Sequence, residues 1–482
     1  MLLKDLFTRR KKKKVFVLGL DCADPSLLFE RWKDELPTFA KLTEKGAYGR
    51  LRSVDPPITS PAWTCMLSGK SPGELGLYGF RHRSLGSYEK TYFAFSDRVT
   101  CPRVWDVLSR RDRRVVLVGV PQTFPVSEVN GLMVSSFLTP STESQYTYPP
   151  ELKPEIERIS KFDGEFSTED RGYMLDVEEF RTSDKERVLD DIYRMTDKRF
   201  RVTEYLLQRD WDFFMTVFMG PDRIQHGFWN YMEEEQGDHE AGRYQDAILD
   251  YYRYLDREIN ELINKLDSNT SLLIVSDHGA KKLDGCIAIN EWLREEGYLT
   301  LNKYPRESQR LREEWIDWSK TKAWGWGGYY GRLFINLEGR EPQGVVPTAE
   351  YEDLRGELSR KLTSLTAEDG DLRGTRVYRP EDIYEEVQGD PPDLMVYFGD
   401  LSWRSSSSIG GGSVYLSEND TGPDHANHAR EGILFARGNG VKTRGRLDVQ
   451  DIRAVAPTIF QLLGEEIPAN ITIDPVHLSR NV

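Results

Sequence analysis

Cysteine is scarce in this chain. Its 482 residues include four (Cys22, Cys65, Cys101 and Cys286), none at paired or CxxC spacing, which excludes a disulfide framework and a zinc knuckle. Long apolar runs are missing as well: no stretch approaches 18 consecutive apolar residues, so none is predicted to span a bilayer. The opening MLLKDLFTRRKKKK puts its charge after a very short apolar segment, the reverse of a secretory signal, and a cytoplasmic location is expected. Positive charge is not in excess. With 65 basic against 79 acidic residues the net charge is −14, which argues against nucleic acid as a partner but suits the concentration of metal cations. There is no repeat of 20–50 residues. Gly69-Lys70-Ser71 resembles the end of a Walker A loop, but Thr64 stands where that loop needs its first glycine. The tract Ser405–Ser408 with Gly410–Gly412 also lacks the following GK[ST] and reads as a flexible loop.

What the sequence does contain is enough apolar material for a large core, 38% hydrophobic and 11% aromatic, so a disordered chain is excluded. Short apolar runs recur at Val15–Leu20, Val115–Val120, Phe213–Met219, Ser271–Val275, Leu394–Phe398 and Ile433–Ala436, with a weaker one at Leu333–Asn336. Runs of this kind suit strands buried on both faces, as in a mostly parallel sheet. Helical periodicity lies between them, over Asp184–Gln208, Tyr244–Leu266 and Asp451–Leu463, the last capped by Gly464. The alternation predicts an α/β fold: a large, mostly parallel central sheet flanked by helices, with inserted cap segments. The expected division is core over 15–124, an insertion over 125–180, core over 181–299, a cap-like insertion over 300–390, and core over 391–482. At the N-terminus, Leu2, Leu3, Leu6 and Phe7 precede six basic residues, Arg9 to Lys14. This segment reads as a solvated lead-in to the first strand, with weak peripheral contact to anionic lipid as the functional alternative.

The chemistry concentrates at strand ends. Asp21, Asp222 and the pair Asp277-His278 each fall at or just after the end of a predicted buried strand, where an open parallel sheet binds its ligands. Of seven histidines, three join this pattern: His226 four residues after Asp222, His278 beside Asp277, and His428 just before an apolar run. Mixed aspartate and histidine suits zinc or manganese better than magnesium or calcium. Two groups of three ligands would hold two ions, and two ions together can stabilise the attacking and leaving oxygens of an in-line displacement, which points to phosphoryl transfer. A nucleophile is available in PPIT59S60PAWT, where a hydroxyl at a helix start would meet both the metal and the positive end of the helix dipole. Thr59 and Ser60 are rivals for that role, and helix capping is the alternative use of Thr59. His425 is the rival of His428.

The segments GLD21, PPIT59SPAWTCMLSGKSPGELGLYGF, GPD222RIQH226G, VSD277HG and NH428AREGILFARG, in that order, resemble the alkaline phosphatase superfamily. The similarity is greatest to its type I phosphodiesterase/nucleotide pyrophosphatase-like branch, which includes predicted phosphohydrolases and phosphomutases. The resemblance implies that Thr59 is a metal-bound nucleophile. It implies that Asp21, Thr59, Asp277 and His278 hold one divalent ion and Asp222, His226 and His428 the other, with zinc expected and manganese as the alternative. It also implies a covalent phospho-threonine that water then hydrolyses, on a small-molecule phosphoester, either a diester or a monoester. A phosphomutase using the same phosphoenzyme is one alternative, and a catalytically silent sensor of a phosphorylated ligand is another. The sequence departs from nucleotide pyrophosphatases in having no Asn between Thr59 and Phe80, where those enzymes carry one that helps bind phosphate. No C/S-x-P-x-R signature surrounds Cys22, Cys65 or Cys101, which disfavours sulfate esters. For substrate contact the candidates are Trp324 and Trp326, within the aromatic patch Trp315, Trp318, Trp324, Trp326, Tyr329 and Tyr330, together with His425. Packing of an insertion onto the sheet is the favoured reading of that patch.

Overall fold

The computed structural model describes residues 12–161, 172–233, 239–366, 372–418 and 420–478. Its frame is a ten-stranded sheet. The seven strands that matter here are β1 (Lys14–Leu20), β2 (Ala47–Arg52), β3 (Val115–Val118), β4 (Gly131–Val134), β5 (Phe213–Phe218), β6 (Thr270–Val275) and β7 (Glu431–Gly438). They lie side by side in the order β2-β7-β6-β1-β5-β3-β4. From β6 to β4 every pairing is parallel, and β7 runs antiparallel between β6 and β2. Val15, Phe16, Val17 and Leu18 of β1 are all fully buried, as expected of a strand covered on both faces.

The helices that cover the sheet include α1 (Thr59–Ser68), α2 (Lys185–Leu207), α3 (Gly220–Glu233), α4 (Ala247–Asn264) and α5 (Val455–Leu463). Each buries an apolar stripe in one large core. Helix α5 stops at Gly464, whose φ of 74° supplies the left-handed turn that sequence periodicity anticipated there. α1 packs against the middle of the sheet because β1 carries Gly19: a Cβ there would stand 2.5 Å from the Trp63 ring.

Three parts of the sequence fold differently from the simplest strand reading. Gly131–Val134 lies inside the segment expected to leave the sheet, yet it pairs in parallel with β3 and extends the sheet. Its four residues are too few to register as a periodic pattern. Leu394–Tyr397 and Gly331–Ile335, apolar runs like those of the main sheet, belong to a separate four-stranded antiparallel sheet with Ala323–Trp326 and Arg376–Tyr378. A short apolar run specifies a buried strand without specifying which sheet buries it. That smaller sheet supports an apolar cluster of its own, including Trp318, Trp324, Phe334, Leu358 and Trp403. The third is Ile433–Ala436, expected as a buried strand without an assigned direction and found within antiparallel β7.

The tail of basic residues falls partly outside the described residues, with Leu2, Leu3, Leu6, Phe7 and Arg9 to Lys11 among those not described. Lys12 pairs with Asp212 at 2.8 Å and Lys14 with Asp267 at 3.1 Å, so the described end of that run is tied to the sheet. No helix of the described residues is long and apolar enough to cross a membrane.

Candidate metal centre and active site

The sheet topology brings the acidic and histidine residues to one edge. Asp21 follows β1, Asp222 lies in the first turn of α3 just after β5, and Asp277 and His278 follow β6. These three strands are parallel neighbours, so their carboxyl ends coincide. His428 arrives from the other direction. Because β7 is antiparallel, the residues entering it reach the same edge, and the short strand Ala426–Ala429 pairs with Gly279–Lys282 so that His428 faces Ala280.

Two groups of potential ligands result: Asp21, Asp277 and His278, and Asp222, His226 and His428, all buried. In the first, His278 Nε2 is 3.1 Å from Asp277 Oδ2 and 4.0 Å from Asp21 Oδ1. In the second, His226 Nε2 is 3.2 Å from Asp222 Oδ1 and 3.3 Å from His428 Nε2. The groups adjoin, with the His278 and His428 rings stacked at 3.7 Å.

Two observations test whether these residues suit divalent cations. Among the described residues, Asp21 Oδ1, Asp222 Oδ1 and Asp277 Oδ2 are buried oxygens with no hydrogen-bond partner, a costly state that a cation would relieve. Each histidine also turns Nδ1 outward to an oxygen: His226 to Asp424 Oδ1 at 2.7 Å, His428 to the Pro57 carbonyl at 2.7 Å, and His278 to the Gly279 carbonyl at 3.1 Å. In its neutral form, an imidazole whose Nδ1–H is donated outward presents its Nε2 lone pair to the carboxylates, the tautomer a metal-ligating imidazole adopts. Both tests fit.

The electrostatics show the same need. Burial, and then the neighbouring Asp277 and Asp222 carboxylates, push Asp21 well above the usual carboxylate range. Burial opposes the charge of His278, yet the carboxylates of Asp277, Asp21 and Asp222 lift it to about 9. Burial also disfavours the Asp222 carboxylate, but the charges of His226 and Arg223 hold it well below the usual range.

Thr59 is the first residue of α1, and the helix has no side-chain cap: Ile58 is its N-cap residue. Instead of capping, Thr59 Oγ1 lies 3.5 Å from His278 Nε2. The hydroxyl of Ser60 turns elsewhere, 3.3 Å from Gln122 Oε1. The two hydroxyls are thus placed differently, and it is Thr59 that stands at the ligand group, on the first turn of a ten-residue helix. Thr59 is only 3% exposed.

His425 belongs to neither ligand group. Its ring packs edge-on against Tyr231 at 5.3 Å, and its backbone N–H donates to the His226 carbonyl. Trp324 is buried in the smaller apolar cluster, edge-on to Trp318 at 5.0 Å, and Trp326 packs against Phe334 under Arg332. Trp315 and Trp318 are buried as well. Of the aromatic patch, Tyr329 is the member that reaches the ligands, stacked on the His428 ring at 4.0 Å.

Several residues around the ligands escaped sequence reasoning. Trp63 Nε1 donates to Asp21 Oδ2 at 2.7 Å, and the Cys22 N–H donates to Asp277 Oδ1 at 3.2 Å from a left-handed backbone, φ 62°. Asp424 accepts from His226 and is flanked by Arg404 at 2.7 Å and by Arg181. Those two guanidiniums and His226 overcome the effect of burial and keep Asp424 well below the usual carboxylate range. Arg223 donates to Asp222. Faint signals existed: Asp424 sits within DHANH428, Arg223 within GPDRIQH, and Tyr329 follows Gly327-Gly328. None of these identifies its partner.

A mostly parallel sheet whose edge gathers two aspartate–histidine groups around a helix-borne threonine defines an alkaline-phosphatase-like hydrolase of phosphoric esters. The chain belongs to the type I phosphodiesterase/nucleotide pyrophosphatase family, whose sequence model matches residues 15–428. This is a metal-dependent family. No curated protein matches the sequence. Among solved structures the chain is similar to human ectonucleotide pyrophosphatase/phosphodiesterase 5, at 12% identity and a TM-score of 0.53 over 95% of this chain and 96% of that one. It is similar to the murine protein of the same name at 13% identity and a TM-score of 0.52, with the same coverage, including an inactive threonine-to-alanine variant in complex with AMP. At these identities the likeness concerns the fold.

Proposed function

We propose that this protein cleaves a small-molecule phosphoester through a covalent phospho-threonine at Thr59, using two divalent ions. The observation that supports it best is the placement of Thr59 Oγ1 3.5 Å from His278 Nε2, beside buried carboxylate oxygens that lack a hydrogen-bond partner among the described residues. Asp21, Asp277, His278 and Thr59 would hold one ion, and Asp222, His226 and His428 the other; zinc suits this mixed set, with manganese the alternative. Bound there, the ions supply positive charge for phosphoryl oxygens and lower the pKa of a coordinated hydroxyl or water.

The Thr59 hydroxyl gives its proton to solvent and its oxygen forms a bond to phosphorus, while the phosphorus–oxygen bond to the leaving group breaks and the departing alkoxide takes up a proton from solvent. The open amides at the start of α1 orient the phosphoryl oxygens. Water then attacks phosphorus, the Thr59–phosphorus bond breaks, and the hydroxyl is restored. His278, its Nδ1 held by the Gly279 carbonyl, keeps Nε2 aimed at Thr59 throughout. The AMP bound by the inactive murine relative makes diesters that release a phosphomonoester the first class to try. A cytoplasmic location is part of the same proposal, in keeping with four free cysteines.

Turnover of bis-p-nitrophenyl phosphate and p-nitrophenyl phosphate by protein loaded with zinc or manganese tests this reading. Metal-dependent release of nitrophenol is expected, reduced by at least about 10³-fold in Thr59→Ala. Full turnover by Thr59→Ala would refute the nucleophile. A phosphoenzyme that forms but does not hydrolyse until a second alcohol is supplied would replace hydrolysis with phosphoryl return, the mutase reaction.

A further inference from the structure

The second ligand group is surrounded by charged side chains, and apart from Arg404, which also pairs with Asp424, these trace back to one short stretch of chain. Asp176 accepts from Arg223 Nε at 2.8 Å and from Nη2 at 2.7 Å, and Arg223 Nη1 donates to Asp222. Arg181 donates from Nε to Asp424, whose Oδ1 accepts from His226 Nδ1 at 2.7 Å. Arg181 Nη2 also donates to the Tyr329 hydroxyl at 2.9 Å, and the Tyr329 ring lies on His428. Asp222, His226 and His428 are therefore each reached from residues 176–181 through a single intermediary. Phe180 sits between the two arms, its ring 4.4 Å from both guanidinium centres.

The first group is held otherwise. Its partners are the Trp63 indole, the Cys22 amide and the Gly279 carbonyl, which belong to α1 and to the sheet edge itself.

We propose that residues 176–181 form a brace that positions the Asp222–His226–His428 group and selectively sets its affinity for a divalent ion. The physical reason is that outer contacts fix the orientation and basicity of inner ligands, so loosening them weakens the ion held inside. Asp222 and His226 are about 1% exposed, whereas the side chains of Asp176 and Arg181 are 26% and 21% exposed. The brace thus forms the solvent side of a buried site, where changes in its packing register directly on one ion and not on the other. In function these are positioning residues: neither Asp176 nor Arg181 is placed to touch a phosphoryl group.

The inference rests on the two-ion reading, and the test separates the two. Zinc is titrated against a chromophoric chelator into the metal-stripped full chain, as wild type, Asp176→Asn, Arg181→Gln and Asp277→Asn. Wild type is expected to take up two ions. Asp176→Asn and Arg181→Gln, on separate arms, should each weaken one ion by about 10–100-fold and leave the other unchanged. Asp277→Asn should weaken the complementary ion. Equal weakening of both ions, or no weakening in either brace variant, would overturn the brace while leaving two-ion binding intact. Uptake of fewer than two ions by wild type would refute the two-ion reading itself, and the brace with it.

Discussion

The two ligand groups lie ring against ring, yet they are built on different principles. Asp21, Asp277 and His278 hang from the ends of two adjacent central strands and lean on neutral partners: an indole N–H, a backbone amide and a backbone carbonyl. Asp222, His226 and His428 come from a helix and a short antiparallel ribbon, and they lean on a charged layer of Arg223, Asp424, Arg404 and Arg181. Neutral partners on a fully buried sheet change little with conditions. The outer members of that charged layer, Arg181 and Asp176, are partly exposed and answer to their surroundings, because charges at the boundary are screened and their side chains can rearrange. One site thus combines a half fixed by the sheet with a half held by removable contacts.

Three experiments would break or sharpen that contrast. The largest effect is expected from the carboxylates themselves: Asp277→Asn and Asp222→Asn should each lower kcat/KM by at least about 10³-fold, since the proposed chemistry uses both halves. Metal analysis separates them, each variant losing a different ion, and two variants that lose the same ion would erase the distinction between the groups. Next is Trp63→Phe, which keeps the ring packed near Gly19 but removes the donor to Asp21. It should weaken the first ion by about tenfold and spare the second. A matching loss at the second ion would mean that Trp63 acts through general packing.

The smallest effect concerns a histidine that uses its ring in the opposite way. His82 accepts the Tyr78 N–H at Nε2, and burial, helped by the charge of Arg332, pulls its pKa down to about 3. A base whose folded pKa is depressed must bind a proton on unfolding, so stability should fall as pH drops from about 6.5 toward 3, at most by about 1.4 kcal/mol per pH unit. The melting temperature of His82→Gln should be less sensitive across that window than wild type. Parallel curves would show that His82 is not kept neutral in the fold.

How much of this was legible beforehand differs by element. The apolar runs ending at Leu20, Met219 and Val275 are long and continuous enough to declare buried strands, and the aspartates just past them stand out as ligand candidates by that position alone. Helix periods over 185–207 and 247–264 were equally plain. The apolar run at Leu394 predicts a strand, and a strand forms there, but membership in the smaller antiparallel sheet depends on partners at 331–335 and 376–378. Trp324 could be recognised as aromatic and clustered, whereas its burial against Trp318 and Phe334 is a fact of packing.

The site divides along the same line. Residue type and position past a strand were sufficient to nominate Asp21, Asp222, His226, Asp277, His278 and His428, because a ligand's chemistry is local to its side chain. The choice between Thr59 and Ser60 needed the helix orientation, which turns one hydroxyl toward His278 and the other toward Gln122. Asp424, Arg181 and Asp176 carried no recognisable pattern, since a residue that acts through another is defined by contact across about 50 to 250 positions of chain. Local chemistry is written in the order of residues. Which charge meets which ligand was decided only when the chain closed on itself.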